Sequence, residues 1–294
     1  MLLPQDSEYH IHHGDCITHM ATLPPACVDM SVFSPPFPSL YAYTASPSDI
    51  GNSEDVATEA KLHLSFFYNQ LARIVKPGRV VAVHVAQIPR MKRSGEAGLF
   101  DFRGMNIRLG ERAGLVYEYD WLIRKNPQAQ AIRTKSREMQ FVGLEADRAK
   151  SRGALGDYII KFRAAGDNAM PINSPNEVSR NDWIDWAENA WWNDIRETDT
   201  LNVAEGRGEN DTKHICPLQL GVIDRLVRMY SDPREIVFSP FAGIGSELFT
   251  ALKLGRRAYG CELKNEYHAA AIRNCERALA ARKAEMAGLF DRQK

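Results

Sequence analysis

The sequence predicts an α/β fold, a doubly wound and mostly parallel sheet with helices on both faces. Three observations carry that expectation. Strand-like and helix-like segments alternate through the first third of the chain. The alternation returns in the last third, where a glycine-containing turn joins a buried strand to a helix. Between these parts the rhythm is lost and the local charge changes sign, as expected of an insertion with its own task.

Residues 9–13 form a short strand candidate that ends at Gly14-Asp15. Residues 17–23 form a short helix candidate, stopped by Pro24-Pro25. Residues 28–33 (VDMSVF) have the composition of a buried strand and run into Ser34-Pro35-Pro36-Phe37. Residues 54–75 carry helical apolar spacing through Leu62, Phe66, Leu71 and Ile74, and Pro77-Gly78 ends that helix before a strand at 79–85. A helix over 105–113 and a strand over 115–123 follow. Residues 125–211 hold one clear strand candidate, 157–162, and a Trp-rich section in which Trp183, Trp186 and Trp191 read as a small packed core. The last third gives a helix at 217–230, a strand at 235–238, a helix near 247–254, a strand at 257–262 and a long alanine-rich helix at 265–288.

The 294 residues, 44% hydrophobic and 25% charged, exclude a disordered, collagenous or coiled-coil chain. No apolar run reaches the roughly 18–20 residues a membrane span needs, and the N-terminus lacks the order of a secretory signal. Five cysteines, Cys16, Cys27, Cys216, Cys261 and Cys275, stand at scattered spacings without a CxxC pair. Neither a zinc site nor a disulfide framework is suggested, and a cytoplasmic location is expected. His10, His12 and His13 read as exposed, paired residues rather than metal ligands. Lys and Arg together equal Asp and Glu, so bulk charge does not point to nucleic acid. The distribution does: residues 124–163 hold ten basic and four acidic residues, whereas residues 164–212 hold three basic and eleven acidic.

Two short constellations carry chemistry. Ser239-Pro240-Phe241-Ala242-Gly243-Ile244-Gly245-Ser246 follows a strand and opens a helix, where backbone N–H groups can approach a ligand. About 20 residues on, Glu262 ends the next strand, the place from which a carboxylate accepts the hydroxyls of a ribose. On their own, two glycines equally suit a purely steric turn. The second constellation is Ser34-Pro35-Pro36-Phe37. Its prolines stiffen the chain and remove two amide donors. Carbonyl oxygens and the Ser34 hydroxyl are left to accept hydrogen bonds beside the flat ring of Phe37. Acceptors next to an aromatic face suit an exocyclic amine on a planar heterocycle, although a plain Pro-Pro loop closed by a core Phe fits the same residues.

Taken together, the two motifs make the chain resemble the β-class amino-methyltransferases of DNA, which methylate N4 of cytosine or N6 of adenine. The family's catalytic [S/D/N]PP[Y/F/W] stands as Ser34-Pro35-Pro36-Phe37, and its DPFxGxG loop for S-adenosylmethionine as Ser239 to Gly245. The catalytic motif precedes the cofactor motif, the circularly permuted order of that class. Gly14-Asp15-Cys16, Lys76-Pro77-Gly78 and Gly255-Arg256-Arg257 with Gly260-Cys261-Glu262 match as flanking features. The resemblance covers roughly residues 10–125 and 213–280. Phage and prophage orphan methyltransferases are especially similar around FSPPFPSLYAYT, residues 33–44.

The resemblance implies a seven-stranded class I methyltransferase sheet of Rossmann-like type, in the order 3-2-1-4-5-7-6. That order makes the strands ending at Phe238 and Phe33 neighbours at the switch point of the sheet. It implies three regions: a catalytic part over 1–125, a target-recognition insertion over 126–212, and a cofactor-binding part over 213–294. Asp15 would bind the cofactor's adenine amino group and Glu262 its ribose, with the backbone around Phe241, Ala242, Gly243 and Gly245 at the methionine end. Ser239 stands where the family usually has Asp, so another acid is expected near the methionine ammonium. Tyr41 and Tyr43 are candidates to flank an extruded nucleotide. Arg124, Lys125, Arg133, Lys135, Arg137, Arg148, Lys150 and Arg152 are candidates for DNA contacts. DNA is the expected partner, no membrane is, and a homodimer is compatible with the resemblance. The implied reaction is methyl transfer from S-adenosyl-L-methionine to a flipped base, with N4 of cytosine preferred on Ser34 and N6 of adenine second. RNA or protein glutamine methylation, and a catalytically silent cofactor- and DNA-binding module, are the alternatives.

Overall fold

In the computed structural model, residues 2–4, 6–38, 44, 46, 48–52, 58–90, 98–126, 145–150, 155–175, 177–188, 191–206 and 217–291 are described. The strands are β1 (Tyr9–His13), β2 (Met30–Phe33), β3 (Val80–Val85), β4 (Ile88–Arg90), β5 (Gly98–Phe100), β6 (Leu115–Ile123), β7 (Asp157–Ala164), β8 (Trp191–Trp192), β9 (Ile236–Ser239) and β10 (Arg257–Glu262). The α-helices are α1 (Cys16–Thr22), α2 (Glu59–Ile74), α3 (Phe102–Arg112), α4 (Arg180–Glu188), α5 (Leu220–Tyr230), α6 (Ser246–Lys253) and α7 (Asn265–Asp291).

Eight strands form one sheet in the order β1-β10-β9-β2-β3-β7-β6-β8, and β4 and β5 form a separate antiparallel pair. Numbered from β9, that is the expected order 3-2-1-4-5-7-6 with the two-residue β8 added beside β6. The first five strands are mutually parallel, and β7 runs antiparallel to both β3 and β6. Met30 pairs with Val237 and Ser31 with Phe238, which brings the two motif-bearing strands side by side.

Alternation along the strands sends side chains to two apolar layers. Phe33, Val81, Val83 and Phe238 join Met20, Leu64, Phe67, Leu71 and Phe102, from α1, α2 and α3. Met30, Val32, Ala82 and Val237 face the other way, onto Val222, Ile223, Leu226, Leu248, Leu252, Ala271 and Cys275, from α5, α6 and α7. Among the described residues, helices thus cover both faces, the doubly wound arrangement. β2 and β9 are buried throughout, including Ser31, whose hydroxyl donates to the Phe238 carbonyl at 3.0 Å.

The structure corrects the sequence reading in three places. The insertion over 126–212 is interrupted by β7, which lies inside the main sheet between β3 and β6. Its alternation of buried and half-buried residues is that of a sheet strand, but its neighbours in sequence hid this. On α2, Leu62 and Phe66 are exposed, at 56% and 54%. The buried stripe is Ala60, Leu64, Phe67, Tyr68, Leu71 and Ile74, because apolar residues outnumber the positions one helix face can bury. Trp183 is exposed rather than packed. The tryptophan core is instead Trp121 stacked on Trp192 at 5.3 Å, and both indole N–H groups donate to the Trp186 carbonyl, at 3.0 and 3.3 Å.

The end of the sheet away from the motifs is tied by buried ions. Arg79, 1% exposed, donates from Nε to the Asp29 carbonyl at 2.9 Å, from Nη1 to the Met170 carbonyl at 3.2 Å, and pairs with Glu235. Asp29 in turn pairs with Lys76 at 2.5 Å and accepts the Ile236 amide at 2.9 Å. Arg79→Ala would strip Glu235 of its buried cationic partner, leaving it the Asp232 amide at 2.8 Å, and would take from the buried Asp29 carbonyl its Arg79 bond. We expect a loss of about 3–5 kcal/mol in denaturant unfolding. A loss under about 1 kcal/mol would show that water replaces these bonds.

Candidate active site

The turns that follow β2 and β9 meet at the switch point, the crevice in which open α/β sheets bind ligands. A cavity of about 750 Å³ lies there. Ser34, Pro35, Pro36 and Phe37 line one part of it, and Phe241, Ala242, Gly243, Glu262 and Asp15 line another. Residues about 200 positions apart are thereby brought to one site. Ser239 and Gly245 are not in the lining. Ser239 is fully buried at the end of β9. Gly245, at φ 88°, shapes the turn instead: a Cβ there would meet Ala271 Cα at 3.0 Å, so glycine lets α6 close onto α7.

The acids beside the glycine turn are held locally. Asp15 caps α1, accepting the Thr18 amide at 2.7 Å. Glu262 accepts the Gly243 amide at 2.7 Å and the Lys264 amide at 2.8 Å, which ties the end of β10 to the glycine turn. Gly243, at φ 54°, has nothing within 4 Å of a Cβ position, so a side chain there would occupy space beside the cavity. Burial pushes Glu262 up to about 7, against the pull of those amide donors. Glu247, in the first turn of α6, also lines the cavity, and burial followed by the nearby Glu262 charge pushes it up to about 8.

Polar atoms without protein partners point to what the cavity accepts. Gln219 and Ser246 are buried lining residues, and neither Gln219 Oε1 nor Ser246 Oγ has a hydrogen-bond partner among the described residues. Such atoms call for a polar ligand. Acids at the strand ends, apolar Phe241 and Ile244, and an open glycine turn fit a nucleoside that carries a cationic tail.

On the other side, Phe37 is half-buried, its ring 5.4 Å from Phe102 and its remaining surface in the lining. Ser34 Oγ lies 3.1 Å from His84 Nδ1, and His84 Nε2 lies 2.8 Å from Asp157 Oδ2. Lys125 Nζ reaches the same Asp157 oxygen at 2.7 Å. Burial pushes the Asp157 carboxyl up, but His84 and Lys125 outweigh it and hold the carboxyl below its ordinary value. His84, Asp157, Glu247 and Gln219 went unnoticed in the sequence. Glu247 had a local signal, an acid directly after the glycine turn; the other three had none.

The DNA methylase profile of the N6/N4 type matches residues 28–273, most of the chain. The chain belongs to the N6/N4 DNA methylase family. The type II methyltransferase M1.MboII of Moraxella bovis is 39% identical over 54 residues, 18% of this chain and 21% of that protein. The matched stretch thus spans about a fifth of that relative's own length. Among solved structures, TTHA0409 of Thermus thermophilus, named as a DNA modification methylase and complexed with S-adenosyl-L-methionine, superposes with a TM-score of 0.66. The identity is 22%, over 92% of this chain and 95% of that one. The PvuII cytosine-N4-specific DNA methyltransferase gives 0.64 at 16% identity, over 91% and 86%. Both likenesses establish the methyltransferase fold.

Within this family member, the predicted DNA contacts are unevenly placed. Tyr41, Tyr43, Arg133, Lys135, Arg137 and Arg152 lie outside the described residues. Arg148 is exposed, in a short 3-10 turn with Lys150. Lys125 faces the cavity, where it pairs with Asp157. Lys161 and Arg163, counted with the basic stretch, both bind Glu118 on the neighbouring strand. His12 and His19 stack at 3.8 Å, and His13 stacks on His268 at 4.9 Å.

Proposed function

We propose that this methylase transfers a methyl group from S-adenosyl-L-methionine to the exocyclic amine of a flipped DNA base, N4 of cytosine before N6 of adenine. The observation that carries the reading is the single cavity lined by both Ser34-Pro35-Pro36-Phe37 and the Phe241-to-Gly243 turn. Ser34 Oγ and the Pro35 carbonyl accept the two N–H bonds of the amine, which favours a more tetrahedral nitrogen with its lone pair free. Phe37 stacks on the base and offsets part of the few kcal/mol needed to extrude it. S-adenosylmethionine, when bound, supplies the electrophilic methyl on a cationic sulfur. Orientation of the amine toward that methyl lowers the barrier without a strong base acting first. Asp15 accepts from the cofactor's adenine amine, Glu262 holds its ribose, and Glu247 takes the place of the family's Asp opposite its ammonium. Target recognition belongs to the insertion over 126–212 outside β7, with its basic stretch meeting the DNA.

Expression in a methylation-free host, nuclease digestion and mass spectrometry of the nucleosides test this directly. N4-methylcytosine is the expected product. N6-methyladenine alone would reverse the base and keep the reaction. Neither product, with firm cofactor binding, would favour a silent module.

Calorimetry tests the cofactor side. Glu262→Ala should weaken binding at least tenfold, about 1.4 kcal/mol. With Glu247 near 8 and Glu262 near 7, both acids gain charge as pH rises from about 6 to about 8. A cationic ligand then binds better, so wild-type affinity should climb across that window and the slope should shrink in Glu262→Ala. A flat wild-type profile would remove these two acids from the ligand.

A further inference from the structure

The cavity wall behind Ser34 holds a chain of polar groups that the proposed reaction has not yet used. His84 comes from β3, Asp157 from the first residue of β7 and Lys125 from just after β6, so three strands converge behind the turn that follows β2. His84 and Asp157 are nearly closed to solvent, with side chains 11% and 10% exposed. Keeping these groups in a mostly apolar wall is costly unless every one is paired. They are paired in series: Ser34 Oγ to His84 Nδ1 at 3.1 Å, His84 Nε2 to Asp157 Oδ2 at 2.8 Å, and Lys125 Nζ to Asp157 Oδ2 at 2.7 Å.

We propose that His84, oriented by Asp157, receives through Ser34 the proton that leaves the target amine. The inference rests on the methyl-transfer reading above and adds a proton route to it. Asp157 accepts only, so Nε2 must carry a hydrogen and Nδ1 is left as the acceptor for the Ser34 hydroxyl. With its hydrogen committed to Nδ1, Ser34 turns lone pairs toward the cavity, the state needed to accept an amine N–H. The Ser34 hydroxyl also has a second acceptor, the His84 carbonyl at 3.2 Å. That second site fits the state after transfer, when Nδ1–H donates to Ser34 Oγ and the hydroxyl turns to the carbonyl. The two hydrogen-bonding states of Ser34 thus need no movement of heavy atoms.

The balance is closed. The amine nitrogen forms a bond to the methyl carbon, whose former bonding pair stays on the donor sulfur. The N–H bond facing Ser34 breaks, its proton joins Ser34 Oγ, and the hydroxyl hydrogen passes to His84 Nδ1. The imidazolium that results sits against ionised Asp157. Lys125 keeps Asp157 ionised, which prevents the carboxyl from taking the proton permanently. Of the other acids lining the cavity, Asp49 and Glu197 stand outside this chain of bonds and face the same space. His84 acts through Ser34 and is a positioning and proton-holding residue.

Nitrogen-15 NMR of the His84 imidazole, assigned by its loss in His84→Gln, is the first test. The wild-type ring should show hydrogen on Nε2 and none on Nδ1, and Asp157→Asn should scramble the two forms. Hydrogen on Nδ1 in the neutral wild-type ring overturns the proposal, whatever the variants do. Single-turnover transfer is the second test. His84→Gln should be slower by about 10²-fold, the usual size of a lost proton acceptor, while cofactor affinity holds. Wild-type transfer with an unchanged rate in folded His84→Gln overturns the relay alone. Absence of any methylated nucleoside from the wild-type protein overturns the reaction and the relay together.

Discussion

Phe37→Ala is expected to weaken DNA binding and slow methyl transfer together, whereas Ser34→Ala slows transfer and leaves binding nearly intact. The difference follows from what each side chain offers the cavity. Phe37 is braced by Phe102 at 5.4 Å, so its exposed face is a fixed platform for an extruded base. Base-on-aromatic stacking is worth about 1–3 kcal/mol, so its loss should cost roughly 5- to 150-fold in affinity for substrate DNA. In the proposed reaction Ser34 contributes an acceptor that matters most as the amine becomes tetrahedral. Its removal should cut the single-turnover rate by about 10²–10³, the scale seen for one oriented hydrogen bond in a transition state. Fluorescence anisotropy for binding and rapid-quench transfer for rate separate the two. Equal losses of binding in both variants would mean that Ser34 and Phe37 act as one ground-state clamp.

The parts of this site that are contiguous in sequence were legible there. Strand β9, its glycine turn and helix α6 follow one another, so the turn and Glu262 could be placed from local signals alone. Strand β2 and the Pro-Pro turn are likewise adjacent. The cluster behind Ser34 was not legible, because His84 and Asp157 lie 73 residues apart and meet only through the pairing of β3 with β7. His84 sits in an apolar strand and carries no motif. Asp157 starts a strand that the sequence assigns to an insertion, so nothing local joins it to the Ser34 turn. Surface faces misled in a different way. Helical spacing through Leu62 and Phe66 is real, yet the sheet can cover only one stripe of α2, and these two residues fall outside it.

Charge reversal in the basic stretch gives the largest expected change in DNA binding. Among the described basic residues between 124 and 163, Lys125 pairs with Asp157, and Lys161 and Arg163 pair with Glu118. The remaining positive charge falls mainly on 133–152, while residues 164–212 carry an excess of eight negative charges. A polyanion therefore has one favourable stretch of the middle region to meet. Arg133→Glu, Lys135→Glu and Arg137→Glu together remove three cations and add three anions. DNA binding at physiological salt should be lost, and where binding is still measurable at low salt its dependence on log salt should flatten by about 2–3, at roughly 0.9 per phosphate contact. Cofactor affinity by calorimetry should be unchanged, since Asp15, Gly243, Glu247 and Glu262 lie on other parts of the chain. A triple variant with wild-type DNA affinity and salt slope would show that these charges only solvate the surface, and that duplex contact is made elsewhere around the cavity mouth.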